Sequence, residues 1–225
     1  MSRPTRHRVG VLVSGAGTNL RALLEEAARP QALFRVVLVL SNRPSAPALR
    51  VALEHGVAAE AMPVARFGGD VVARDRAMQD RLRAAWVELV VCAGYDRVLS
   101  APLLDAFEGA MLNLHPSLLP AFGGGMNAVE EALAAGVKVS GATVHLLEPG
   151  ATDAGPIVLQ EAVPVLDDDD EQTLLTRIHE AEWRILPAAV TLWCEGRLQR
   201  QGRRIRVLPS RVAAAQTAEL QEEPR

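Results

Sequence analysis

The chain has 225 residues, of which 49% are hydrophobic and 23% charged, and its formal net charge is −3. This composition is typical of a globular protein with one large domain, and the lack of a basic block disfavours nucleic-acid binding. No apolar run approaches the ~20 residues of a membrane span or forms a signal peptide, so we expect a soluble cytoplasmic protein without a membrane partner.

Alternating segments predict the fold of the first half of the chain. Continuous apolar runs indicate buried strands at residues 8–13, 34–40 and 89–93. Alternating apolar and polar residues indicate two more strands, weakly at 57–64 and at 111–115. Segments with helical periodicity lie between them, at residues 20–28, 47–55, 71–86 and 101–107. This alternation predicts an α/β fold with a mostly parallel, doubly wound sheet and right-handed crossovers.

The second half of the chain predicts antiparallel strands beside that sheet. Its elements are a helix at 128–135, strands at 140–147 and 156–165, and a helix at 171–193. Asn127 is expected to cap the first of these helices, and the acidic run at 167–170 suits the positive end of the second. After Gly196 we expect at most a short strand. A single domain at 8–200 is predicted between tails expected to be disordered, 1–7 and 211–225.

The cysteines and the basic ends of the chain predict no site. Cys92 and Cys194 lie in apolar runs without a partner at metal-ligand spacing, so we expect buried free thiols and no metal. The terminal arginines are expected to be solvated. They are Arg3, Arg6, Arg8, Arg200, Arg203, Arg204 and Arg206.

Two polar side chains share one face at the end of the fifth predicted strand. Side chains alternate along a strand, so Asn113 and His115 point to one side, and Leu112 and Leu114 to the other. Pro116 cannot continue a central ladder and ends the strand. Because ligands bind at this edge of an open α/β sheet, the amide and the imidazole form a candidate site. A polar strand end that caps the next loop is the alternative.

A glycine turn joins the first strand to the first helix. It lacks the third glycine of a dinucleotide fingerprint, and Asn42 stands where an acidic residue would hold a ribose. Backbone N–H groups at the start of a helix bind anions, so the turn predicts a site for a single phosphate. A turn that only permits tight packing is the alternative. The candidate residues are Gly15, Gly17, Thr18 and Asn19.

Three further polar residues are ambiguous on their own. Asp153 lies in the loop between the two later strands, where an aspartate commonly bonds its own backbone. His145 shares a face with Thr143 and is more typical of a hydrogen-bonded interior histidine than of a catalyst. Glu182 and His179 lie in the last helix, where charges are usually solvated.

If Asn113, His115 and Asp153 converge, they can stabilise a tetrahedral oxyanion. An amide and a protonated imidazole donate to an oxyanion, and a nearby carboxylate favours the imidazolium. No side-chain nucleophile accompanies them, since Ser117 has no evident base, so the attacking group must belong to a substrate. This chemistry is the direct transfer of an acyl-type group between two bound substrates.

Four motifs carry a family resemblance. They are SGAGTNL at 14–20, AGYDRVLS at 93–100, NLHPSLLP at 113–120, and GATVH with TDAGPIVLQ within 141–160. Together they resemble the phosphoribosylglycinamide formyltransferases of the folate-dependent formyltransferase family. The resemblance implies a Rossmann-like formyltransferase fold, with transfer of a formyl group from the co-substrate 10-formyltetrahydrofolate to the amine of glycinamide ribonucleotide in de novo purine synthesis.

The resemblance also implies roles for individual residues. Asn113 and His115 would stabilise the oxyanion, with His115 as general acid. Asp153 would keep His115 protonated and assist proton movement through water. The supporting pair would be Thr143 and His145.

Binding roles follow from the same resemblance. The phosphate of the nucleotide would lie at Gly17, Thr18 and Asn19, and Glu182 would hold its ribose. The implied folate-binding residues are Asp96, Arg97, Val98, Leu99, Asn113 and Arg66.

The sequence departs from the family pattern at several of these positions. Gly123-Gly124-Gly125-Met126 replaces a Pro-Gly, which predicts a more mobile loop. Asp96 replaces a commonly apolar residue, His179 replaces a glutamine, and Arg66 is only the nearest match to an expected arginine.

Two alternatives stay open. Another 10-formyltetrahydrofolate enzyme, either a hydrolase or one with a different amine acceptor, would share the Asn, His and Asp centre. A non-catalytic nucleotide-binding module would need only the glycine turn. The sequence leaves open a monomer or a homodimer.

Overall fold

The computed structural model of the chain describes residues 6–150 and 152–210. The strands are β1 (His7–Val13), β2 (Phe34–Ser41), β3 (Ala58–Ala61), β4 (Leu89–Cys92), β5 (Met111–His115), β6 (Val139–Leu146), β7 (Ile157–Pro164), β8 (Leu198–Gln201) and β9 (Arg204–Val207). The helices are α1 (Thr18–Ala28), α2 (Pro47–Glu54), α3 (Val71–Ala84), α4 (Ala101–Ala106), α5 (Ala128–Ala134) and α6 (Glu171–Cys194).

All nine strands form one sheet, in the order β3-β2-β1-β4-β5-β6-β7-β9-β8. The neighbours from β3 to β5 are parallel, and β6 is antiparallel to both β5 and β7. The chain therefore has the predicted α/β fold, mostly parallel with antiparallel strands towards its C-terminal end. The strand order reverses between β1 and β4, which is where an open sheet of this kind binds its ligands.

The two faces of the sheet carry separate cores. In β1, Val9, Val11 and Val13 pack in a core shared with α1, α2, α5 and α6. Leu12 points the other way, into a core shared with α3 and α4. Burial on both faces is why β1, β2 and β4 are continuous apolar runs rather than alternating ones.

The predicted cap of α6 is present, whereas that of α5 is not. The Asp170 carboxylate accepts a hydrogen bond from the Thr173 N–H at 2.8 Å in a capping box, so the acidic run begins the helix as predicted. Asn127 precedes α5 without a side-chain cap, and that prediction is wrong. The reason is its φ of −117° and ψ of 32°, outside the extended region from which an N-cap side chain reaches the first turn.

The ends of the sheet also differ from the sequence prediction. The third strand stops at Ala61, because Pro63 has no N–H to continue the ladder and begins a 3-10 helix, Val64–Phe67. Where at most a short strand was expected after Gly196, the hairpin of β8 and β9 continues the sheet past residue 200. His7, placed by prediction in a disordered lead, belongs to β1, and the predicted tails at 1–5 and 211–225 lie outside the described residues.

Within residues 6–150 and 152–210, no helix is both long and apolar enough to cross a membrane.

Candidate active site

A cavity of about 680 Å³ lies at the carboxyl ends of β4 and β5. Its wall brings together residues far apart in sequence, from the glycine turn, from the ends of both strands, from the loop after β6 and from α6. The sequence-predicted site residues that line it are Asn19, Asp96, Arg97, Val98, Leu99, Asn113, His115, Asp153 and Glu182.

Asn113, His115 and Asp153 converge in this cavity. The side chains of Asn113 and His115 share a face of β5, as predicted. The Asn113 Nδ2 atom lies 3.4 Å from Oδ1 of Asp153, and Nδ1 of His115 lies 3.5 Å from Oδ2 of the same carboxylate. Both distances exceed the 2.7–3.2 Å of a strong N–H···O bond, so Asp153 does not engage the Asn113 amide or Nδ1 of His115 tightly.

The conformation of Asp153 is held by several contacts. Its φ is +49°, a left-handed value that aspartate tolerates better than most residues. The Gly124 N–H donates to Oδ2 at 2.9 Å, so the carboxylate bonds a distant loop rather than its own turn. The proximity of His145, whose Nε2 lies 3.7 Å from Oδ1, lowers the pKa of the Asp153 carboxyl below its usual range; the Gly124 N–H and His115 act in the same direction, and burial opposes them.

His115 is oriented by the glycine-rich loop. Its Nε2 lies 2.9 Å from the carbonyl oxygen of Phe122, and a carbonyl only accepts, so Nε2 carries the proton. This leaves Nδ1 facing Asp153. Phe122 itself has a φ of +55° and Gly124 one of +82°, so the loop turns sharply to reach the imidazole. The sequence analysis did not predict the contact of His115 with the Phe122 carbonyl. The departure from the family pattern at the adjacent Gly123–Met126 was the sequence feature that could have drawn attention to this loop.

Thr143 and His145 support this centre from β6, opposite His115 and Asn113 respectively. The Thr143 hydroxyl donates to the Ser117 carbonyl at 2.6 Å and accepts from the Leu119 N–H at 3.1 Å, which holds the turn after β5. His145 is fully buried, and its Nδ1 donates to the Leu146 carbonyl at 3.0 Å. Its Nε2 contacts the Asn113 amide at 3.1 Å, as an interior, hydrogen-bonded histidine should.

The glycine turn packs closely against α2 and also leaves backbone N–H groups exposed. Gly17 has a φ of +84°, and a Cβ there would lie 2.8 Å from Ala48, so only glycine fits against α2. Gly17 also begins α1 without a side-chain cap, which leaves first-turn N–H groups free for an anion. Gly15 and Thr18 are exposed in this turn.

Asn19 connects the turn to α6. Its Nδ2 donates to Oε2 of Glu182 at 2.8 Å, and its buried Oδ1 has no hydrogen-bond partner. Burial raises the pKa of Glu182 to about 7, a change that the bond from Asn19 opposes. His179 lies 3.9 Å from the same carboxylate. A pair with an unused acceptor at a cavity wall is suited to a ligand that brings hydroxyl groups.

The segment after β4 is fixed by a polar network across the point where the strand order reverses. Asn42 Nδ2 donates to Asp96 at 2.8 Å, and the Ser14 hydroxyl donates to Asn42 at 2.7 Å. Asp96 also pairs with Arg43. Burial alone would raise the pKa of Asp96, but the bonds with Asn42 and Ser14 and the charge of Arg43 lower it. In this network the side chain of Asn42 is bonded to Ser14 and Asp96.

Four of the predicted binding residues do not line the cavity: Gly15, Gly17, Thr18 and Arg66. Arg66 is paired elsewhere. Its guanidinium bonds Glu60 at 3.1 Å on the surface. Cys92 is buried as expected and lines the cavity floor, where burial and then the charge of Asp75 raise the pKa of its thiol to about 12. Among the described residues no group of His, Cys, Asp or Glu could hold a metal ion.

Comparison with known proteins gives consistent matches. Residues 7–190 match the family described as formyl transferase. The chain is 46% identical over 186 residues to a phosphoribosylglycinamide formyltransferase of Mycobacterium tuberculosis, covering 81% of this chain and 83% of that protein. It is 42% identical over 192 residues to the trifunctional purine biosynthetic protein adenosine-3 of Gallus gallus, covering 85% of this chain. The chain spans 19% of the length of that trifunctional protein.

The fold has a close match among solved structures. The crystal structure of glycinamide ribonucleotide transformylase 1 from Symbiobacterium toebii superposes with a TM-score of 0.88 at 46% identity. The match covers 91% of this chain and 95% of that one.

Proposed function

The chain belongs to the formyl transferase family, and on that basis we propose that it transfers the formyl group of 10-formyltetrahydrofolate to the amine of glycinamide ribonucleotide. The observation that carries the proposal is that the Asn113, His115 and Asp153 centre opens into the same cavity as Asn19 and Glu182. The cavity thus combines residues suited to a group-transfer reaction with residues suited to a sugar that carries hydroxyl groups.

The nucleotide would bind along the Asn19 side of the cavity. Its phosphate would take the free N–H groups at the start of α1, where the helix dipole favours a negative charge. Its ribose hydroxyls would reach Glu182 and the unused Oδ1 of Asn19. This places the amine of the substrate towards the centre at the end of β5.

The folate would bind against the segment after β4. Leu99 is buried there, and Val98 is exposed beside the cavity. The network of Ser14, Asn42 and Asp96 fixes the backbone of this segment, which suits recognition of a heterocycle by main-chain groups.

Transfer would proceed by direct attack. The amine nitrogen forms a bond to the formyl carbon, and the carbonyl electron pair moves onto the oxygen. The Asn113 amide and, in the imidazolium form of the ring, the His115 Nδ1 would donate to this oxyanion in place of their long contacts with Asp153. On collapse the bond from the carbon to N10 of the folate breaks. The amine nitrogen loses one proton and N10 gains one.

Asp153 would stabilise the protonated form of His115 and assist proton transfer. Its pKa is below the usual range, so it is ionised at neutral pH and stabilises the imidazolium of His115. His115 can then act as a donor on the formyl oxygen. The carboxylate, through water, would carry the proton from the amine towards N10.

The test is an assay with 10-formyltetrahydrofolate and three acceptors: glycinamide ribonucleotide, glycinamide without the phosphoribosyl group, and water. We expect a formylated nucleotide with the first acceptor and slow release of formate with water alone. Formate release that is independent of the nucleotide would favour the hydrolase alternative. No turnover, with binding of the nucleotide, would favour a non-catalytic module.

A further inference from the structure

We propose that the C-terminal hairpin of β8 and β9 is a clasp that positions Asp153, with Arg200 and Arg203 as its positioning residues. The inference rests on the proposed function for its kinetic readout. The hairpin lies beyond residue 190, where the match to the family ends.

The clasp touches the loop between β6 and β7 on both sides of Asp153. The Arg203 guanidinium donates to the carbonyl oxygen of Ala154 at 3.1 Å, one residue after Asp153. Arg200 pairs with Glu148 at 2.6 Å, near the start of the loop. The two contacts therefore hold the loop at its beginning and beside its functional residue.

The hairpin is itself attached to the body of the protein. Arg204 pairs with Ile157 of β7, the first strand residue after the loop. Leu198 and Ile205 pack against the core that contains β1 and α6. The Arg200 Nε also donates to the Gly202 carbonyl at 3.0 Å, which fixes the hairpin turn. The two arginines thus extend from an anchored element and not from a free tail.

The position of Asp153 depends on such support, because its carboxylate contacts residues that are distant in sequence. It holds a left-handed φ of +49°, and its carboxylate contacts Gly124 at 2.9 Å, Asn113 at 3.4 Å and His115 at 3.5 Å. The last two contacts are already long. A displacement of about 1 Å at a reacting centre can cost ~100-fold in rate, so a small shift of this loop would be felt in catalysis.

The same contacts contribute little to stability. Arg203 is exposed, and the side chain of Arg200 is 50% exposed. Ion pairs and hydrogen bonds made by exposed side chains are weak in water. Their loss should therefore change the geometry of Asp153 without unfolding the protein.

The variants are Arg203→Ala, Arg200→Ala and the two together, in the full-length chain. Arg206→Ala is the matched control. Arg206 is exposed and lies on β9 opposite Gln199, so its replacement also removes one positive charge but leaves the contacts of Arg200 and Arg203 with the loop in place. Arg203→Lys retains a donor and serves as the rescue. Each protein is studied by single-turnover formyl transfer, by nucleotide KM and by ¹³C NMR titration of the Asp153 carboxyl.

The clasp predicts a fall in the single-turnover rate of about 3- to 10-fold for Arg203→Ala and more for the double variant. The nucleotide KM and the melting temperature should match those of Arg206→Ala, and Arg203→Lys should recover part of the rate. The Asp153 carboxyl should titrate at higher pH in the double variant, because its contacts loosen.

A double variant with the rate and the Asp153 titration of Arg206→Ala would overturn the clasp. Absence of transfer to glycinamide ribonucleotide by the wild-type protein would instead defeat the proposed function. The NMR titration would still decide the clasp in that case, since it needs no turnover.

Discussion

Nδ1 of His115 lies 3.5 Å from Oδ2 of Asp153, although His115 ends β5 and Asp153 belongs to the loop after β6. β6 lies antiparallel beside β5 and ends opposite Leu112, near the start of that strand, so the loop after β6 reaches back along β5 to bring Asp153 beside His115. The candidate centre is thus completed by a loop of the antiparallel part of the sheet.

Replacing Asp153 with Asn keeps the shape and removes the charge. We expect the rate of formyl transfer to fall by about 100-fold or more, in the range of a lost acid–base group, with the nucleotide KM little changed. The acidic limb of the pH–rate profile should flatten and shift, because the wild-type carboxylate loses its charge as pH falls towards its depressed pKa. Asp167→Asn, on the surface, is the control. An unchanged profile would remove Asp153 from the mechanism.

The raised pKa of Glu182 leads us to expect that the stability of the protein falls between pH 4.5 and pH 7. Its pKa in the folded protein is about 7, whereas an unfolded glutamate has its ordinary value near 4.5. Between these values the folded state holds the proton that the unfolded state has lost, so the free energy of unfolding falls as pH rises, by about 3 kcal/mol.

Glu182→Gln removes this titration. Its free energy of unfolding relative to wild type should therefore rise between pH 4.5 and pH 7, as measured by urea unfolding at several pH values. Glu180→Gln, exposed on the same helix, is the control. A difference between Glu182→Gln and wild type that is constant across this range would contradict the assignment.

Asn19 connects the glycine turn to Glu182, and we propose that it links the phosphate and ribose subsites. Asn19→Ala removes the donor to Glu182 and the unused Oδ1, so the nucleotide KM should rise about 10-fold or more, as expected for lost hydrogen bonds to a charged group. The folate KM should change by less than about twofold, because its proposed wall lies after β4. Equal losses for both substrates would argue against separate subsites.

Gly155 sits where no side chain fits. A Cβ at this position would lie 1.8 Å from the Leu146 carbonyl oxygen, so the loop that bears Asp153 must move. Gly155→Ala should cost about 2 to 4 kcal/mol of stability and reduce the transfer rate beyond that of Gly150→Ala. Gly150 is in the same loop with open space around it, though its φ is +73°. Equal stability and rate for the two variants would show that the close approach is unimportant.

Much of this arrangement follows from the sequence. Period-2 alternation placed Asn113 and His115 on one face, and Pro116 marked the strand end. Apolar runs predicted the parallel sheet, because strands buried on both faces need apolar residues at every position. The glycine turn was recognised from residue type and position alone.

Other features depend on tertiary contacts that no local pattern records. The convergence of Asp153 on His115 needs the β5–β6 register, and the role of Asn42 needs Asp96 across the sheet. The hairpin after Gly196 was underestimated, because arginine-rich segments resemble solvated tails until Leu198 and Ile205 are seen packed against the core. Asn127 has the residue type of a cap but not the backbone angles.

The most direct test of the account is the single-turnover rate of formyl transfer to glycinamide ribonucleotide by wild type and by His115→Ala. Nucleotide binding is measured in parallel to confirm that the site is intact. We predict a fall in rate of about 100-fold or more, since the variant loses the donor to the oxyanion and the group that Asp153 holds. A rate within threefold of wild type, with the nucleotide bound, would contradict the assignment of this centre.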